Sequence, residues 1–419
     1  MDLHDELYER ILMGCTPMAD GDVAISAKFD LIPDGGFDLN KLMPPTYKGE
    51  GKTVLHHFED RYLNQDEKKV EIVVLDQPQS TANRIEKAAM NAQKAGLIQL
   101  SDILVHCEGA DKTLSAMETN HRAYSAIHQA STLDNVPFVN SELGKVLFGE
   151  DLSAAMKAMV ENNVLSMVLG CWASHIGHAR ALKFPRLILN EVIAGVVSKT
   201  KKSASCSDPL GIENVLDIEM QDAKCKPWRI SESGMKSIGQ PFTGTKSKKE
   251  KDEPIESADD SADDDVERKT KTGKFKKIKP SQAGLGNGTV PNIYDGGVSV
   301  EWVKDIFTLS LRRTLRYETD NFEEDRLVRA MLVCLGLYLF LLKTQNYDLR
   351  SGCGLRRKLE KTIFNFERYE NVEPVEISTQ TARKMYLRSI EPLKGILKFN
   401  TTTLEANKDL NILAHQSRQ

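Results

Sequence analysis

From Thr243 to Gly288 the chain reads TGTKSKKEKDEPIESADDSADDDVERKTKTGKFKKIKPSQAGLGNG, a run almost without apolar side chains. Such a segment cannot bury enough surface to offset the entropy of ordering it, so it is expected to be a disordered, charged linker. Its acidic half precedes a basic block from Arg268 to Lys279, read first as a solvated tail and second as an arm that touches phosphates. The consequence for the fold is that any core of this 419-residue chain must be built from the two flanks, residues 1–242 and 289–419.

Strand and helix patterns interleave before the linker. VEIVVL (Val70–Leu75) and ILVHC have strand composition, and STANRIEKAAMNAQKAG predicts a helix with Ser80 at its start and Gly96 at its stop. From Thr113 to Ser131, Leu114, Met117, His121, Tyr124 and His128 recur every three or four positions, which predicts a helix with both histidines on its apolar stripe. VLSMVLGCW (Val164–Trp172) and RLILNEVIAGVV (Arg186–Val197) are the strongest strand candidates. After the linker, VEWVKDIFTLSLRRTLRY, EEDRLVRAMLVCLGLYLFLLK and, more weakly, STQTARKMYLRSIEPLKGIL predict a mostly helical part completing the fold. The mixture is an α+β class, with helices packed on a sheet.

Seven scattered cysteines without a C-x-x-C pair point to reduced thiols in a cytoplasmic protein. The acidic opening MDLHDELYER does not resemble a secretory leader. The longest apolar run, Ala330–Leu342, falls short of the ~20 residues of a spanning helix and reads as buried core, so no membrane is expected. Net charge is −4, yet residues 1–150 hold 14 Lys/Arg against 24 Asp/Glu and the remainder 42 against 36. A local basic groove can therefore hide beneath an acidic average, and only local charge neutralises phosphate.

Individual motifs give little support to catalysis. His175-Ile-Gly-His178 lies too far along the chain, and lacks the companion lysine motif (nearest, Lys384–Ser389), to be an ATP site. His56, His57, Glu59 and Asp60 cluster without a metal-ligand spacing, and adjacent strand histidines point to opposite faces. Basic and aromatic residues carry more: Trp172, Arg180, Lys183, Phe184, Arg186, Lys199, Lys201 and Lys202 bracket one strand, as a single-stranded nucleic-acid groove requires.

Several blocks in order, PPTYKGEGKTVLHHFEDR, VVLDQPQSTANRIE, TNHRAYSAI, FVNSELGKVLF, LGCWASHIGHARALKFPRLILNEVIAG, SDPLGI and LRSGCGL, together resemble the Csb-type backbone subunit of type I-U (I-G) CRISPR effector complexes. That is the seventh Cas family, within the RAMP superfamily. The resemblance spans Pro44 to Leu355, interrupted by the linker, and departs from the family at Pro78 and in the linker itself. It implies an RRM-like or ferredoxin-like palm with inserted elements and a non-catalytic subunit without cofactor. Several copies would hold crRNA by its backbone and display its bases to target DNA, beside a large subunit and a Cas five/six-like subunit. By residue, it implies RNA contacts at Asn83, Arg84, His121, Arg122, Lys183, Arg186 and Arg350, joined by Trp172, Lys199, Lys201 and Lys202 from the basic patch. The alternative is a metal-dependent endoribonuclease using Asp60 or Asp76 with His56 or His57.

Overall fold

In the computed structural model, the described residues are 2–17, 20–37, 41–48, 54–62, 69–173, 182–202, 216–220, 228–241, 276–278, 294–358 and 361–417. In chain order they form α1 (Leu3–Gly14), β1 (Ala24–Pro33), β2 (Thr46–Lys48), β3 (Val54–His56), β4 (Phe58–Tyr62), β5 (Lys69–Asp76), α2 (Pro78–Lys94), β6 (Asp102–Cys107), β7 (Lys112–Ser115), α3 (Ala126–Gln129), β8 (Ser131–Leu133) and β9 (Val136–Pro137). There follow α4 (Glu142–Leu147), α5 (Leu152–Leu169), β10 (Cys171–Ala173), β11 (Leu182–Phe184), β12 (Ile188–Lys202), β13 (Ile218–Met220), β14 (Trp228–Ile230), α6 (Glu232–Ser237) and β15 (Lys276–Ile278). The last part holds β16 (Tyr294–Ser310), α7 (Leu311–Thr314), α8 (Phe322–Lys343), β17 (Tyr347–Arg350), β18 (Cys353–Arg357), β19 (Ile363–Glu367), β20 (Val372–Glu376), α9 (Thr379–Ile390), β21 (Thr401–Ala406) and α10 (Lys408–Gln416).

The chain divides into two units: residues 1–45, 58–196 and 300–419, and residues 46–57 with 197–299. The first is organised by α8, which is buried on every side from Ala330 to Leu341, as a stretch apolar all round must be. Asn321 caps it, accepting from the Glu324 amide, and Glu323, Glu324 and Asp325 face its positive N-terminal end. Among the described residues no helix is long and apolar enough to cross a membrane. A nine-stranded sheet runs β17-β18-β1-β16-β12-β5-β4, with β19 also pairing to β1 and β20 to β19. Phe29, Phe307, Phe340 and Phe364 stack or meet edge to face where α8 lies on this sheet. Ile72, Val74 and Ile193 form a smaller apolar cluster with Trp302 and Ile306. A five-stranded sheet, β7-β6-β21-β8-β9, belongs to the same unit.

In the second unit, β2 and β3 form a hairpin and β14-β13-β15 a small sheet. Of the segment expected to be a disordered linker, residues 276–278 are described, and they are a strand paired with Ile218–Met220; the rest lies outside the described residues.

The sheet and the helices α8 and α9 fit a mixed α/β fold with a helical C-terminal region, but three expectations need correction. Residues 300–310 are strand, not helix, and β17 to β21 add further strands, so the part after the linker is mixed rather than mostly helical. Val164–Leu169 is the second half of α5, not a strand. Thr113–Ser131 is not a helix: it holds the end of β7, a capped turn at Ser115–Glu118, a left-handed pair at His121 and Arg122, and α3. His121 is consequently exposed, while His128 is buried and pushed down to about 4 by its burial.

Candidate nucleic-acid interface

The candidate surface is built where α5 ends. Gly170 adopts φ +82, and a Cβ there would stand 2.7 Å from the Arg186 nitrogen. Glycine is therefore what lets the chain leave the helix in contact with the segment returning from β11. The β10–β11 pair sets Trp172 opposite Lys183, and the Lys183 Nζ lies 5.8 Å from the centre of the Trp172 ring. That arrangement is a cation–π contact worth about 0.5–1 kcal/mol at an exposed site. His121 meets the same indole edge to face at 6.0 Å. Trp172 remains 44% exposed, so the ring is an open platform with a cation beside it.

Arg122 fixes this corner from beneath. Its Nε donates to Glu86 Oε1 at 2.5 Å and its Nη1 to the Gly170 carbonyl at 2.5 Å. His121 and Arg122 have φ of +60 and +51, a conformation that costs non-glycine residues of order 1–3 kcal/mol each and persists only when neighbours impose it. Burial pushes Glu86 up to about 7, and the Arg122 guanidinium opposes that rise. Arg186 is held differently. Burial and the like charges of Arg122 and Arg313 lower its pKa, and among the described residues it makes no ion pair with a carboxylate. Arg313 donates from Nη1 to the Arg186 carbonyl at 2.9 Å, which brings a further exposed cation to the cluster. Nothing in the sequence linked residue 313 to residue 186; pairing across β12 and β16 does.

The other residues singled out by sequence take various positions. Asn83 is exposed on α2. Arg84 is committed inward: Nε donates to Asp76 Oδ2 at 2.8 Å, and the two terminal nitrogens donate to the carbonyls of Asp348 and Leu349. Arg350 donates to the Pro44 carbonyl at 2.9 Å. Lys199 and Lys201 belong to the other unit; Lys199 is exposed and Lys201 is ion-paired with Asp295. The Lys202 side chain, Arg180 and the His175–His178 tetrad lie outside the described residues.

The carboxylates of the nuclease alternative have partners of their own. Asp60 pairs with Lys69 at 2.7 Å, and Asp76, raised by burial, is held by Arg84 and Ser80. His56 and His57 fall in the second unit, Asp60 and Asp76 in the first. Among the described residues, the group with metal-binding geometry is Asp2, His4 and Asp5 at the start of α1, which contains none of them.

Residues 25–199 match the model of a family described as CRISPR-associated protein GSU0053, a RAMP-family domain. The match covers less than half of the chain and takes in β10, β11 and most of β12. No curated protein matches the chain.

Proposed function

We propose that this chain is a non-catalytic crRNA-binding backbone subunit of a type I-U/I-G CRISPR Cascade complex, built on an RRM-like palm and loaded in several copies along one guide. The observation that carries this reading is the open Trp172 platform with Lys183 beside it and Arg186 next in line, inside the segment that matches a CRISPR-associated family. A ribose-phosphate strand supplies what these groups lack among the described residues: phosphates for cations without carboxylates, and a flat base for the exposed ring. None of these contacts reads a base edge, so the grip is independent of sequence, and the remaining bases are left to pair with target DNA. Arg84 and Arg122, both engaged inside the protein, act here as positioning residues.

Repeated loading on a linear ligand calls for head-to-tail contacts between copies that do not close into a ring. In the assembly the partners are crRNA, further copies of this chain, the large subunit and a Cas five/six-like subunit, with target DNA reached through the guide.

The test is incubation of the purified chain with guide-length RNA and Mg²⁺, read by native mass measurement and a denaturing gel. Intact RNA bearing several copies is the expected result. Trp172→Ala should weaken binding about 5- to 100-fold, the loss of one base stack. Absence of RNA binding at low salt, or scission of the RNA, overturns the reading.

A further inference from the structure

A second exposed aromatic in the same unit has an arginine beside it. Tyr369, at the turn between β19 and β20, is 79% exposed. The Arg312 guanidinium sits 5.5 Å from the centre of its ring. Arg312 Nε is buried and has no hydrogen-bond partner among the described residues, and no ion pair joins Arg312 to a carboxylate among them. Its neighbour in α7, Arg313, reaches the Arg186 carbonyl, and Arg186 is three residues beyond Lys183, the cation of the first platform. Trp172 with Lys183, the Arg186 carbonyl with Arg313, and Arg312 with Tyr369 are thus three contacts joined by short stretches of chain, all within one unit.

The turn that carries Tyr369 is fixed rather than loose. The Arg368 amide donates to the Asn371 carbonyl at 2.8 Å, and its guanidinium donates to Asp22, which Arg10 also holds. Arg10 pairs in addition with Glu373. The carboxylates of Asp22 and Glu373 are therefore paired with Arg10 and Arg368 rather than with Arg312 or Arg313. An isolated exposed tyrosine needs no explanation. One backed by an arginine without a carboxylate partner among the described residues, in the same unit as another exposed aromatic with a cation beside it, repeats the arrangement that single-stranded nucleic acid requires.

We propose that Tyr369, backed by Arg312, is a second base-stacking platform for a single-stranded nucleic acid, with Arg313 and Arg186 holding phosphates on the path from Trp172. This rests on the proposed RNA-binding function and extends its footprint onto the part of the chain beyond the family match.

The experiment measures fluorescence anisotropy of the full chain with fluorescein-labelled oligouridylates of increasing length, for wild type, Tyr369→Ala, Tyr369→Phe and Trp172→Ala. The longer oligomers should lose about 5- to 100-fold in affinity with Tyr369→Ala and recover with Tyr369→Phe, whereas the shortest binding oligomer should be unaffected by either. A photocrosslink from 5-iodouridine should map to Tyr369, and unchanged melting temperatures should exclude misfolding, since the side chain is exposed. If Trp172→Ala impairs binding but Tyr369→Ala matches wild type at every length, the second platform is wrong and the RNA-binding reading stands. If wild type binds none of the oligomers, both fall together.

Discussion

Two arginines a short way apart in function, Arg122 and Arg186, are the same residue type and cannot be told apart by spacing. One is consumed by Glu86 and the Gly170 carbonyl, and the other has like charges beside it and no carboxylate partner among the described residues. The difference arises from which chain segments fold against each, so residue type was legible in the sequence and residue role was not. Trp172 and Lys183 are an intermediate case: their composition marked a basic aromatic patch, but their cross-strand register needed the β10–β11 pair. Buried acids show the same dependence on context. Asp102 is 3% exposed, accepts from Ser115 Oγ at 2.6 Å and Asn163 Nδ2 at 3.2 Å, and is pushed up to about 6 by burial. Its folded value exceeds its ordinary one of 3.8, so the folded chain holds the extra proton between those values. The stability it contributes is full below about pH 4 and is lost as pH rises through about 6, by up to about 3 kcal/mol. Asp102→Asn should flatten this slope, leaving the variant less affected at pH 8 than wild type, as urea unfolding midpoints at several pH values would show. Glu86 tilts the slope in the same direction in both proteins, so the difference between them isolates Asp102. Identical slopes would refute the assignment.

Two of the misread elements, β16 and the second half of α5, share a cause: a polar residue buried where the pattern demands an apolar one. In β16 the inward positions are Val303, Asp305, Phe307 and Leu309, with Ile306 on the other face. The inward acid and outward isoleucine disguise a period of two as a helical one. Asn163 does the same within α5. At φ −158 it interrupts the helix, then accepts from the Ser166 amide and hydroxyl, restarting the turn whose apolar residues read as a strand. By contrast α2 was legible nearly to its ends, because its stop is local: Gly96 at φ +68 donates to Gln93 and Leu97 donates to Ala92. Its start moved back to Pro78, which favours the first helical position. The exception in β16 also ties elements together. Asp305 accepts from Lys343 Nζ at 2.9 Å and from the Tyr347 hydroxyl at 2.6 Å, with Lys343 and Asp305 fully buried, joining the end of α8 to the sheet. Lys343→Met would strand the Asp305 charge and should cost about 3–5 kcal/mol, whereas the double variant with Asp305→Asn should recover most of that loss. Urea denaturation of the four proteins measures it; additive losses would mean that the pair is not coupled.

At the scale of the molecule, the charge that matters is local. A chain with net charge −4 repels a polyanion at long range, and its first 150 residues are the most acidic. Binding must then come from local cations, and Lys183, Arg186, Arg312 and Arg313 are four without carboxylate partners among the described residues. Each phosphate neutralised on a single strand contributes about −0.7 to the slope of log affinity against log salt, so four contacts give a slope of about −3. Lys183→Ala should reduce that slope by about 0.7 and, being exposed, should alter stability by no more than about 0.5 kcal/mol. Anisotropy titrations across a salt series check both points. A slope near zero, or one indifferent to Lys183→Ala, would mean that RNA is not held by these cations, because neither the aromatic rings nor the net charge can supply counterion release on their own.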